Sequence, residues 1–123
     1  VRRDTTTRLG RKAENQALAY LCAQGLTLLE RNYRCRGGEI DLVMRQGTTL
    51  ILVEVRLRSE DQYGGAAGSV GSRKQRRIIR AAHHLLMMRP ELGRMRARFD
   101  VIAIDGDGAN RRLNWIRDAF NVA

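Results

Sequence analysis

The chain has 123 residues, room for one domain with a single modest core, and its 23 Lys and Arg against 13 Asp and Glu leave a formal net charge of +10. No apolar run approaches the about 18 residues that span a bilayer, no secretory leader pattern opens the chain, and Cys22 and Cys35 have neither metal-ligand spacing nor a nearby partner. A membrane role and a disulfide framework are thereby set aside, and the expectation is a reduced, cytoplasmic protein. The excess charge is mostly arginine, which suits phosphate, so the expected partner is nucleic acid ahead of an anionic surface or an acidic protein. The bland alternative is that the charge serves solubility alone.

Residues 1–8, VRRDTTTR, are basic and aperiodic and read as a loose arm of the single domain 1–123. From about Leu9 to Gln24 the residues Leu9, Ala13, Ala17, Tyr20 and Leu21 recur at three and four, and Gly25 follows as a stop signal, which predicts an amphipathic helix. Glu14 lies at the edge of its apolar face, and its bland reading is a solvated glutamate or an ion pair with Arg11. Leu26 to Tyr33 is rich in strand formers, and Arg34 to Gly38 leads on with two glycines that serve a turn or a phosphate contact.

The stretch from Arg36 to Arg58 organises the rest. Two alternating runs flank Gln46-Gly47-Thr48, and a Gly-first two-residue turn predicts a β-hairpin with Gln46 facing Thr49. Counting back along both arms sets Asp41 opposite Glu54 and Glu39 opposite Arg56, with Ile40, Leu42 and Met44 on the buried face beside Ile51, Val53, Val55 and Leu57. Like charges directly opposed in a sheet destabilise it, so such a pair calls for a cation, a shared proton or a base. A divalent ion, Mg2+ or Mn2+, held by Asp41, Glu54 and the backbone carbonyl of Val55 answers that need and suits phosphodiester chemistry.

Residues 59–72, SEDQYGGAAGSVGS, have no period and read as a mobile loop. Ser72 with Gln75 matches a capping box, Pro90 closes the segment, and Ile78, Ile79, Ala82, Leu85 and Leu86 form the buried stripe of a second helix. Arg73, Lys74, Arg76, Arg77 and Arg80 crowd its remaining circumference and are candidate phosphate contacts; a solvated basic face is the alternative. His83 and His84 diverge by about 100° on a helix and do not chelate one metal. Arg98 to Asp105 reads as a buried strand turned by Asp105-Gly106-Asp107-Gly108, which opens like a calcium loop but lacks the later glutamate. Leu113 to Phe120 reads as a closing strand on which Trp115 and Phe120 pack.

The segments GGEIDLVMRQGTTLILVEVRLRS, GRKAENQALAYL, KQRR and RFDVIAI closely resemble the YraN family of small bacterial proteins, over nearly the whole chain. That family looks like the restriction-endonuclease-like superfamily with the PD-(D/E)XK arrangement, similar in outline to archaeal Holliday-junction resolvases. The resemblance implies an α/β domain, a mixed β-sheet of about four or five strands flanked by helices, in the order α-β-β-β-α-β-β. It also implies a metal-dependent endonuclease acting on DNA ahead of RNA, branched or structured DNA included, with the oligomeric state left open and a homodimer among the options. It casts Glu14 as an outer acidic residue, Asp41 and Glu54 as metal ligands, Arg56 at the position of the motif's lysine and Gln75 as a helix residue near the site. Arg56 departs from the pattern, since guanidinium is a poor general base. A binding module with an impaired centre is therefore the alternative to an active nuclease, and a ribosomal-type RNA-associated protein is a third. Arg58, two residues on, shares the face of Arg56 and is a further candidate phosphate contact.

Overall fold

The computed structural model describes residues 8–58, 70–105 and 111–121. Helix α1 (Arg8–Ala23) leads into β1 (Thr27–Cys35), β2 (Gly38–Gln46) and β3 (Thr49–Arg58); α2 (Ser72–Met88) and a 3-10 turn (Pro90–Arg94) precede β4 (Arg96–Asp105) and β5 (Arg112–Phe120). The strands form one sheet in the order β1-β2-β3-β4-β5, antiparallel throughout except for the parallel β3–β4 pair that α2 connects. This is the mixed sheet with two flanking helices, in the element order that the sequence implied. Of the N-terminal arm expected over residues 1–8, Arg8 is instead the first residue of α1, and the rest of it, most of the glycine-rich loop and the turn after Asp105 lie outside the described residues. Among those described, no helix is long and apolar enough to cross a membrane.

Each helix covers one face of the sheet. Ala13, Ala17 and Leu21 of α1 pack on Leu42, Met44, Ile51, Val53, Ile102 and Ile104. On the other face Ile78, Ala81, Ala82 and Leu85 of α2 pack on Ile40, Val43, Leu50, Leu52 and Val101. Two helix expectations need correction. Leu9 and Tyr20, placed on the buried stripe by spacing, are 56% and 36% exposed, because the buried arc of α1 runs through Gly10, Ala13, Glu14, Ala17 and Leu21 and both lie at its flank. The Ser72–Gln75 capping box does not form: Gly71 is the N-cap, its carbonyl accepts the Gln75 N–H at 2.9 Å, and Ser72 is already the first helical residue.

The β2–β3 hairpin has the expected register, with Gln46 paired to Thr49 across Gly47 and Thr48, and Gly47 takes a φ of 60° that favours glycine. The paired run goes on only to Leu42 and Val53. Ile40 was expected on the face of Leu42, yet it packs with α2 while Leu42 packs with α1. Their partners on β1 are Tyr33 and Arg31, and these too reach opposite faces, Tyr33 toward the α2 core and Arg31 toward Glu14 of α1. Alternate residues of an uninterrupted strand share a face, so the alternation is broken between them, at Asn32 and Asp41. Asn32 is where the backbone takes a left-handed φ of 55°, which asparagine tolerates better than most residues.

A second local device fixes α2. A Cβ built at Gly38 would lie 2.3 Å from the Arg77 carbonyl oxygen and 2.9 Å from the Ala81 nitrogen, so only glycine allows the helix backbone to come this close to β2. The Tyr33 hydroxyl meets Nδ1 of His84 farther along the same helix, and burial pushes the Tyr33 phenol up, with Cys35 and Glu30 adding to the shift. The first turns of α2 are thereby held over the start of β2 and the last half of β3.

Candidate active site

Where β2 and β3 part, the chain places two buried carboxylates. Continuing the ladder by register would set Ile40 opposite Val55; instead the Val55 N–H donates to Asp41 Oδ2 at 2.9 Å. The face reversal at Asp41 is what turns its carboxylate toward β3. Asp41 is 1% exposed and Glu54 4%. Glu54 follows Leu52 by two residues, so it emerges on the face covered by α2, and there it meets Lys74, whose Nζ lies 3.6 Å from Glu54 Oε2. The same Nζ donates to Glu39 Oε2 at 3.2 Å, and Arg77 Nη2 stands 3.9 Å from Glu39 Oε1. One lysine of α2 therefore bridges carboxylates from two strands. The close approach at Gly38, one helical turn farther along α2, is what brings it there.

Glu14 is not the solvated helix residue of the bland reading. It is 1% exposed, and its Oε1 accepts the Arg31 Nε–H at 2.7 Å and the Asn32 amide at 3.0 Å. Arg31 also reaches the Asn15 side chain. Glu14 Oε2 is buried with no hydrogen-bond partner among the described residues. This network ties α1 to β1 at Asn32, the residue that register places opposite Asp41. The three acids do not share one side of the sheet: Glu14 belongs to the α1 side, Glu54 to the α2 side, and Asp41 stands at the break between them. Accordingly, no three His, Cys, Asp or Glu side chains are grouped to hold a metal ion among the described residues. The set proposed from sequence, Asp41, Glu54 and the Val55 carbonyl, needs only two such side chains.

The remaining candidates divide by position. Arg56 is half-buried two residues beyond Glu54 on β3, opposite Ala103. Gln75 donates its side-chain amide to the Val70 carbonyl at 2.9 Å and so shapes the entry to α2. Arg73 and Arg76 are exposed, as is Arg80, whose Nη1 lies 3.5 Å from the Gly37 carbonyl. Of the other two expected phosphate contacts, Lys74 faces Glu39 and Glu54 and Arg77 faces Glu39. Arg58 ends β3 opposite Asp105, and its side chain lies outside what is described.

Sequence reasoning missed a fourth buried acid, Asp100, which is fully enclosed. Arg98 grips both its oxygens at 2.8 Å, the Trp115 indole N–H donates to Oδ2 at 2.9 Å and the Asp118 N–H to Oδ1 at 2.9 Å. The same pairing raises the Arg98 guanidinium above its ordinary range, chiefly through the hydrogen bonds to Asp100. Asp118 has a left-handed φ of 54° where the β4–β5 register shifts, so Asp100 fills a bulge on the edge strand. The signal available in sequence was Arg98 two residues before an aspartate on one strand face.

Residues 13–104 match the model of a family described as Uncharacterised protein family UPF0102. A UPF0102 protein of Pseudomonas putida (strain GB-1) is 50% identical over 115 residues, 93% of this chain and 94% of the relative. One from Nitrosomonas europaea is 53% identical over 112 residues, 91% and 92% of the two chains, and one from Cupriavidus metallidurans is 51% identical over 119 residues, 96% and 84%. The matched span runs from within α1 to Ile104 of β4 and so contains Glu14, Asp41, Glu54, Arg56 and Lys74. The chain belongs to the UPF0102 family, which is the YraN family its motifs resemble.

Proposed function

We propose that this protein is a divalent-metal-dependent endonuclease that hydrolyses phosphodiester bonds in nucleic acid, DNA ahead of RNA. The observation that carries the reading is the burial of both Asp41 and Glu54 where β2 and β3 separate beneath the basic first turns of α2, with the Val55 N–H donating to Asp41. Two enclosed carboxylates are costly unless a cation accompanies them. Hard oxygen donors of this kind fit Mg2+ or Mn2+, and the ammonium of Lys74 against Glu54 is a stand-in that marks the place as one that accepts a cation. Asp41, Glu54 and the Val55 carbonyl would hold the ion; an extended residue directs its N–H and C=O to the same neighbouring strand, and the Val55 N–H already points at Asp41. Such an ion would supply Lewis acidity toward a phosphate oxygen and would lower the pKa of a bound water.

The chain's own residues supply the rest. Arg56 orients substrate and stabilises developing negative charge, a role guanidinium fills well, and it does not act as the base. Arg73, Arg76 and Arg80, exposed along α2, contact phosphates and set the strand against the carboxylates. Glu14 acts at one remove, by holding Asn32 and with it the break that aims Asp41. The second reading, a nucleic-acid-binding module, is favoured by one residue only, Arg56 at the motif's lysine position.

Mn2+-dependent cleavage of a panel of branched, single-stranded and duplex substrates tests the proposal. Wild type should cleave at least one of them and Glu54→Ala none. Binding by both proteins with cleavage by neither would select the binding module. Cleavage that survives in Glu54→Ala would contradict both.

A further inference from the structure

Lys74 covers Glu54, one of the two carboxylates on which a metal ion would depend. Its Nζ stands 3.6 Å from Glu54 Oε2 and 3.2 Å from Glu39 Oε2, and three quarters of the side chain is enclosed. Its reach is fixed by the packing of α2 against Gly38, since the helix backbone there touches the strand and has no room to settle closer. An ammonium on a four-carbon stem is a compact charge that can swing to a new partner without moving the helix. Arg77 already covers Glu39 from the next turn, at 3.9 Å, so Glu39 keeps a cation if Lys74 leaves.

From this geometry we propose that Lys74 is a built-in counter-ion that competes with the divalent metal for Glu54 and is displaced by it. Once displaced, the ammonium points outward among Arg73, Arg76 and Arg80, the surface assigned to the phosphates. Metal binding and phosphate binding are then coupled through a single side chain. In the metal-free protein the lysine neutralises the acids, and in the metal-loaded protein it adds one positive charge to the substrate surface. This inference rests on the metal site proposed above and assigns its regulation.

The test is the affinity for Mn2+, measured by titration calorimetry without substrate, of wild type, Lys74→Met, Lys74→Arg and Arg94→Met. Lys74→Met should bind Mn2+ about tenfold more tightly than wild type, a change of about 1.4 kcal/mol. Lys74→Arg, which keeps the charge, should bind more weakly than Lys74→Met. Arg94→Met removes the same charge from an exposed position in the 3-10 turn and should bind as wild type does. Tighter binding by Lys74→Met where wild type binds no metal at all supports the competition and ends the metal-dependent reading of the wild-type enzyme. Equal or weaker binding by Lys74→Met overturns the competition and leaves the nuclease reading standing, whereas binding by neither overturns both.

A measurement on the unaltered protein guards against a variant that fails to fold. The chain has two lysines, Lys12 and Lys74, so a sample with 13C at the lysine ε-carbons gives two signals. Saturating Mg2+ should move the Lys74 signal toward that of a solvated amine and leave that of Lys12, exposed on α1, in place. A Lys74 signal that does not respond contradicts the displacement.

Discussion

Asp100 and Glu54 are both buried acids on neighbouring central strands, yet their cations are held in different ways. At Asp100 the cation belongs to the same strand, approaches as a planar fork with two bonds of 2.8 Å, and is joined by an indole and a backbone N–H from β5. The Trp115 ring that donates there is itself held, edge-on to Tyr20 at 6.1 Å and under the Arg117 guanidinium at 3.7 Å. At Glu54 the cation comes from a helix on a single flexible stem, lies at 3.6 Å and is shared with Glu39. A carboxylate gripped from within its own sheet stabilises that sheet. One whose cation arrives from another element can exchange it, and that is the property a ligand site needs.

The difference yields graded expectations. Asp100→Ala leaves the Arg98 charge, the Trp115 N–H and the Asp118 N–H without their acceptor, and should cost about 3–5 kcal/mol of unfolding free energy in urea. A loss below about 1 kcal/mol would mean that the Asp100 pairing contributes no more than a surface salt bridge. Gly38→Ala drives a methyl group into the α2 backbone and should cost about 1–3 kcal/mol as the helix shifts. Because that shift withdraws Lys74 and leaves β4 and β5 untouched, Mn2+ binding should change in this variant while Trp115 fluorescence keeps its native emission. Replacing Arg73, Arg76 and Arg80 together with Ala should flatten the dependence of log K on log salt by up to about 2.7, at about 0.9 per phosphate contact on duplex DNA. An unchanged slope would move the nucleic-acid surface to another part of the chain. The smallest effect belongs to Arg56→Lys, which retains the charge and should keep or raise Mn2+-dependent cleavage. A collapse of activity in that variant would show that the bidentate guanidinium itself is required.

What could be read in the sequence follows from how local the cause is. The Gly47 turn, the pairing of Gln46 with Thr49 and the alternation of Leu42, Met44, Ile51 and Val53 are short-range patterns, and they carry the register as far as Leu42 and Val53, one residue short of Asp41 and Glu54. Ile40 went to the wrong face because the break depends on Asn32, a residue of another strand whose left-handed backbone leaves no periodic trace. Glu14 looked like a solvated helix residue for a similar reason: its partners, Arg31 and Asn32, lie 17 and 18 residues away. Lys74 was legible as positive charge but not as a neighbour of Glu54, since that contact depends on how closely α2 approaches Gly38. Asp100 was legible only as one polar residue in an apolar strand, and its role comes from a bulge in β5.

The nuclease proposal requires Asp41 and Glu54 to form one cation site. Crystals soaked in Mn2+ and measured for its anomalous scattering test it most directly. A single strong peak is expected, bounded by Asp41, Glu54 and the Val55 carbonyl at distances of about 2.1 Å or slightly longer, with Lys74 turned away from Glu54. Crystals of a protein that cleaves with Mn2+ but shows no peak there, or a peak elsewhere with Lys74 still against Glu54, would contradict it.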